Sequence, residues 1–369
     1  MEKPSIRPRQ VVPVLTLAFC LMSCWLQAQS NPAGSGSQQP SANQQSATPG
    51  QSNSGQSAAG GQQSDQSQQP VATFKANANI VQIFFNVKDK HGALIPNLTK
   101  DDFTIAEDSK PQTIKYFTAE SNLPLTLGIM IDSSASQTNV LDMEKEVGGA
   151  FLKQILTDKD EAYVISFDIS VDLLQDFTRD VHRLQTALNK AKINTDFTQG
   201  GIPGMGGGPV PVQNPKGTLL YDAVYLSAHD MLSKEVGRKA MILLTDGQDE
   251  GSRMRLRDAA ESAQKADAIV YVLLCADRGF YGGFGYSGES DMRRLTEETG
   301  GRVINVGNKF DKLRDAFDQI ANELRSQYNI GYTSTNTKMD GSYRKIEIKS
   351  KQNYKIQARA GYYAGVSDE

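Results

Sequence analysis

Three short segments carry oxygen ligands at spacings that could hold a hard cation. Asp132-Ser133-Ser134-Ala135-Ser136 follows directly on the apolar run Leu125-Thr126-Leu127-Gly128-Ile129-Met130-Ile131. One carboxylate and two hydroxyls are therefore expected on a single tight turn at the end of a buried strand. Thr218 lies in Gly217-Thr218-Leu219-Leu220-Tyr221-Asp222, and Asp246 in Met241-Ile242-Leu243-Leu244-Thr245-Asp246-Gly247. Carboxylate, hydroxyl and water oxygens suit Mg²⁺, with Mn²⁺ or Ca²⁺ as alternatives of the same hard character. Taken alone, D-x-S-x-S equally describes a Ser-rich turn in which Ser134 or Ser136 caps a helix.

Position in the chain favours the first chemistry. Strands are expected at Leu125–Asp132, Ala162–Asp168, Val171–Phe177, Ala240–Thr245, Ala268–Ala276 and Arg302–Val306, with Ile169-Ser170 turning the second into an antiparallel third. Helices are expected near Asn139–Leu156, Asp180–Ala191, Thr218–Ser233, Met254–Ala266, Ser290–Glu298 and Asp311–Arg325. This alternation argues an α/β fold, with a doubly wound, mostly parallel six-stranded sheet covered on both faces. Ligands of such sheets sit outside the carboxyl ends of the strands, where the strand order reverses. In the order 3-2-1-4-5-6 the reversal falls between the strands that end in Asp132 and Asp246.

These residues resemble the metal-ion-dependent adhesion site of the von Willebrand factor type A family. That motif reads D-x-S-x-S, then a Thr, then an Asp in a T-D-G turn. Asp132, Ser134, Ser136, Thr218 and Asp246 match it. The resemblance runs from about residue 71 to 365, and the whole arrangement looks like the exported von Willebrand factor A-related proteins of Acidobacteria, a group defined by sequence. It implies that the two Asp and three hydroxyl residues hold a divalent cation directly or through water. It also implies an open coordination position that a partner protein's Asp or Glu carboxylate completes. Asp222 is expected on a helix, within hydrogen-bonding reach of the site's surroundings, and Asp249 is expected to face solvent.

The ends of the chain have other compositions. Lys3, Arg7 and Arg9 precede an apolar stretch from Val11 to Met22, which is too short to span a membrane and is interrupted by Pro13. We read residues 1–28 as a signal peptide cut after Ala28, with lipidation at Cys24 as the alternative. The protein is thus expected in the periplasm, on the cell surface or secreted. Residues 29–70, mostly Ser, Gln, Gly, Ala, Asn and Pro, are expected to form a disordered linker. Segments 71–120 and 326–369 each offer a few short strand patterns, too few to cover a core alone. They are expected to pair as one small β-sandwich in which the domain at 121–325 is inserted or flanked.

Composition narrows the function further. Loss of residues 1–23 removes three positive charges and one negative and moves the formal charge from −3 to −5. That balance, without a basic cluster, argues against a nucleic-acid partner. After cleavage only Cys275 remains, expected as a small buried hydrophobe. His91, His182 and His229 stand in no nucleophile or zinc pattern, so no enzyme is expected. Two Gly-rich segments, Gln199–Pro215 and Asp277–Ser290, read either as an adaptable rim around the cation or as tolerated surface insertions, and neither is a phosphate loop. The reading is an exported adhesion-type module that binds an acidic partner group through a divalent cation. A different class, an assembly or regulatory subunit of an enzyme complex, would use the same site.

Overall fold

The computed structural model describes residues 7–8, 80–119, 123–193, 217–276 and 288–366. In chain order the first strands are β1 (Arg7–Pro8), β2 (Ile80–Lys88), β3 (Phe103–Glu107), β4 (Lys110–Gln112) and β5 (Tyr116–Ala119). The central part runs β6 (Leu125–Asp132), α1 (Leu141–Ile155), β7 (Glu161–Phe167), β8 (Val171–Thr178), α2 (Val181–Leu188), α3 (Leu220–Leu226) and β9 (Arg238–Thr245). It continues through α4 (Leu256–Lys265), β10 (Ala268–Leu274), α5 (Gly288–Thr299), β11 (Val303–Asn305) and α6 (Phe310–Arg325). β12 (Tyr328–Thr333), β13 (Tyr343–Ser350), β14 (Lys355–Ala358) and β15 (Gly361–Tyr363) follow.

The main sheet has the order β1-β8-β7-β6-β9-β10-β11, with β7 and β8 antiparallel and the other pairs parallel. Every residue of β6, β9 and β10 is buried, as expected of central parallel strands covered on both faces. One face packs Leu127, Ile129 and Ile131 against Val147 and Phe151 of α1, Leu184 of α2 and Phe317 of α6. The other packs Met130, Met241 and Leu243 against Leu220 and Val224 of α3, Ala260 of α4 and Leu295 of α5. A glycine in the central strand makes room for this. A Cβ on Gly128 would lie 2.4 Å from the Tyr163 hydroxyl, and that buried hydroxyl meets Ser227 Oγ at 2.5 Å.

Six strands match the expected α/β sheet, and β1 is the departure. The leader was expected to stand apart from the fold, yet Arg7–Pro8 pair with Asp172 and Leu173. An edge strand offers free backbone groups to any extended segment, and an edge tolerates proline. The rest of the expected signal peptide, including Cys24, and the 29–70 linker lie outside the described residues. The helix expected over Thr218–Ser233 also differs. α3 gives way to a π turn at Ser227–Met231 and a 3-10 turn at Leu232–Lys234, and the wider turn holds the Ser227 hydroxyl on Tyr163.

The flanking segments interleave in two antiparallel sheets, β14-β2-β12-β5 and β15-β13-β3-β4. Each sheet contains strands from both ends of the chain. β13 alternates exposed and buried residues throughout, and its Ile346 and Ile348 join Ile83, Phe85, Phe103 and Ile330 in the core between the sheets. Lys110–Gln112 pairs with β3 despite Pro111, because Asp108 and Ser109 take positive φ and turn the chain just before it. The next strand follows at Tyr116–Ala119. Glu323 of α6 joins the two halves: its carboxylate meets Lys88 at 2.8 Å and Arg302 at 2.7 Å, and its carbonyl accepts from Asn86.

Candidate metal site

β6 and β9 lie side by side, with Ile131 opposite Leu244, so the carboxyl ends of the two strands present Asp132 and Asp246 together. Asp132 is fully buried and Asp246 is 2 % exposed. The Asp132 carboxylate is fixed at both oxygens. Oδ2 accepts from Thr245 Oγ1 at 2.6 Å and Oδ1 from the Ser134 amide at 2.9 Å. Thr245 Oγ1 in turn accepts from the Gly247 amide at 2.9 Å, and Asp246 Oδ1 accepts from the Gln248 amide at 3.0 Å. This turn needs Gly247: its φ is +81°, and a Cβ there would meet the Met292 side chain at 2.8 Å.

Ser134 and Ser136 stand on the turn that follows Asp132, their hydroxyl oxygens 3.0 Å apart. Ser134 is the N-cap residue of the short 3-10 turn at Ala135–Gln137, but its side chain makes no capping bond there, and α1 begins only after Val140. Ser133, which the motif passes over, ties the turn to β7: its amide donates to the Phe167 carbonyl and its hydroxyl meets Ser166 at 2.9 Å.

Thr218 reaches the same end of the sheet through its backbone. It exchanges hydrogen bonds with Glu250 at 2.9 and 3.0 Å, and the next amide, of Leu219, donates to the Asp168 carbonyl at the β7–β8 turn. The segment after β9 is clamped onto α3. Asp249 Oδ1 accepts from the Tyr221 amide at 3.0 Å, Ser252 Oγ accepts from the Asp222 amide at 3.1 Å, and Asp222 Oδ1 accepts from the Met254 amide at 2.8 Å. Asp249 was expected to face solvent. It is half-buried instead, because the chain folds back on the first turn of α3 and offers it an amide with no partner inside the helix.

The electrostatics bear on what this site can hold. Burial, and then the charge of Asp246, push the Asp132 carboxyl up to about 7. Beneath them Glu144 of α1 is fully buried, with no hydrogen-bond donor in bonding geometry at either oxygen among the described residues. Burial comes first in pushing it up to about 8; the nearby Cys275 thiol opposes this, and the charges of Asp132 and Asp246 add to it. Cys275 is fully buried, as expected, and burial followed by Glu144 raises its thiol. Two neighbouring buried carboxylates repel unless a cation or a proton intervenes. Among the described residues no three His, Cys, Asp or Glu side chains converge as a metal cluster. The donor set is instead two carboxylates with hydroxyl oxygens, and it fits a hard divalent ion.

Thr245, Ser133 and Glu144 were not singled out from the sequence. Glu144 had a readable sign: it shares the helical stripe of Leu141, Val147 and Phe151, where a charged residue is out of place. The Gly-rich segments lie almost wholly outside the described residues, at 194–216 and 277–287.

No protein-family model matches the sequence, and no curated protein matches it. Solved structures of similar shape include the conserved hypothetical protein BatB from Bacteroides thetaiotaomicron. It is 17 % identical over 55 % of this chain and 100 % of its own, with a TM-score of 0.41. Proximal thread matrix protein 1 of the mussel byssus, solved with a zinc-occupied MIDAS motif, is 15 % identical. The match covers 58 % of this chain and 48 % of that one, with a TM-score of 0.42. The vWF domain of the type V pili tip protein Mfa5 from Porphyromonas gingivalis is 13 % identical over 55 % and 95 %, with a TM-score of 0.39. Likenesses this distant transfer neither a residue nor an activity.

Proposed function

We propose that this chain is an exported von Willebrand factor A-type module that binds a hard divalent cation such as Mg²⁺, and through it captures a partner protein's Asp or Glu carboxylate. The observation that carries the reading is the buried Asp132–Asp246 pair at the junction of β6 and β9, with the Ser134 and Ser136 hydroxyls on the adjoining turn. Asp132, Ser134, Ser136, Thr218 and Asp246 would hold the ion. Asp132 is oriented by Thr245 and the Ser134 amide, and Thr218 by its backbone pairing with Glu250. When bound, the cation supplies Lewis acidity toward an incoming carboxylate, and the hydroxyls add oxygen atoms without adding negative charge. The chain's own contribution is a preorganised array of oxygens. Such an array suits cation binding.

The test is capture from an envelope extract of the source organism by the immobilised chain. Material should bind in Mg²⁺ or Mn²⁺, be released by EDTA, return when the ion is restored, and fail to bind the Asp132→Ala protein. Capture that persists in EDTA and in the variant would move recognition to another surface.

A further inference from the structure

At the other end of the main sheet a groove of about 480 Å³ lies where the sandwich meets α4. It borders Asp267, which precedes β10, so it faces away from the strand ends that carry Asp132 and Asp246. Junctions between structural units are a common place for small-ligand sites. Four cationic side chains line this groove, Lys265, Lys338, Arg344 and Arg359, against one carboxylate, Asp267. Lys265 is paired with Glu261 at 2.9 Å, Arg359 with Asp267 at 2.6 Å and Arg344 with Glu107 at 3.6 Å, which leaves Lys338 as the groove's cation without an ion pair among the described residues.

Two of the cations are built into the walls. Arg344 is 3 % exposed, and its ion pair with Glu107 is long, at 3.6 Å. Its guanidinium is held by the Asn336 and Lys338 carbonyls, while Nε has no acceptor among the described residues. The Arg359 side chain is 10 % exposed, paired with Asp267 at 2.6 Å and bonded to the Gln82 carbonyl. Both guanidinium groups lie against the Tyr362 ring, at 5.8 and 6.0 Å, and Lys265 lies 5.7 Å over Tyr363. Lys338 is exposed and makes no ion pair among the described residues. The lip adds apolar surface: Met339 is 43 % exposed and Val366 69 %. Buried guanidinium groups are costly unless matched by negative charge, and for Arg344, with its long pair to Glu107 and its Nε without an acceptor among the described residues, the matching is incomplete.

We infer that this groove binds an anionic group, a phosphate or carboxylate carried on an apolar body. Lys338 supplies the free countercharge, Arg344 and Arg359 the fixed field, and Met339 and Val366 the apolar contact. Preorganised guanidinium and ammonium donors favour oxyanions. The group could be the headgroup of an anionic lipid or a free organic anion, which present the same chemistry.

Phenyl phosphate is the probe, titrated into the full chain in EDTA to keep the candidate metal site out of play. Calorimetry and the ring signals of Tyr362 and Tyr363 are followed. Binding in about the millimolar range or tighter is expected, weakened about tenfold or more by Lys338→Glu and retained by Lys338→Arg. Phosphatidylglycerol vesicles separate the sources: co-sedimentation that Lys338→Glu abolishes assigns a lipid headgroup, and phenyl phosphate binding without it assigns a free anion. Equal affinity for benzyl alcohol, unchanged affinity in Lys338→Glu, or no binding at about 10 mM would overturn the inference.

Discussion

Glu144 is the residue whose surroundings are hardest to reconcile with an ordinary surface carboxylate. Its carboxyl is raised from 4.5 to about 8, chiefly by burial, so the folded protein holds a proton there that the unfolded chain releases at much lower pH. The sign follows from linkage. The neutral side chain is tolerated below about pH 4.5, and stability is lost as pH rises from there through about 8. Glu144→Gln keeps the shape and removes the ionisation. In EDTA, its urea stability relative to the parent should grow between those limits by about a few kcal/mol. Parallel curves for the two proteins would mean that Glu144 is not buried as described. Thr218→Ala is a milder change. Its backbone pairing with Glu250 survives, so the fold should be untouched while Mg²⁺ affinity falls by about tenfold, worth roughly 1.4 kcal/mol. Calorimetry on the variant reads this directly.

At the scale of elements, β6 decides where everything else sits. Its eight residues were legible in the sequence to their last member, Asp132, because a continuous apolar run ending in a turn signal has few other readings. The β7–β8 hairpin and the positions of all six helices of the α/β unit were legible for the same reason. What escaped was set by contacts that no local pattern reports. The π turn at Ser227 depends on Tyr163, 64 residues earlier, and the burial of Asp249 depends on how the chain folds back toward Tyr221. β4 was hidden because Pro111 reads as a breaker, yet it lies on an edge strand, where its missing N–H is harmless. Of the candidate site, the placing of Asp132 and Asp246 at the ends of neighbouring strands was legible, whereas the Thr245 bond to Asp132 and the acid on α1 were not. Gly128 offers an element-scale prediction. Gly128→Ala drives a Cβ to within 2.4 Å of the Tyr163 hydroxyl inside a central strand and should cost about 1–3 kcal/mol in urea unfolding. Unchanged stability would mean that the Tyr163 ring moves freely, contrary to its burial and its bond to Ser227.

For the whole molecule, the two ends of the chain are one structural unit. β2 is paired on both sides by strands from beyond residue 326, β12 and β14, and β3 is paired with β13. Removing residues 326–369 takes away every partner of β2 and β5 and all but β4 from β3. Limited proteolysis of the truncated chain should then cut rapidly within Ile80–Phe117, a region that resists in the intact protein. Equal resistance in both would show that the N-terminal strands are stable alone. The α/β unit has its own two-sided core, so it should remain protected in the same digest.

At the ends of β6 and β9, Asp132 and Asp246 are proposed to hold a divalent ion. Calorimetry with Mg²⁺ and Mn²⁺ on the parent chain and on Asp132→Ala tests it most directly, with circular dichroism to confirm that both are folded. One saturable site is expected in the parent and none in the folded variant. Equal affinity in the two proteins would contradict it.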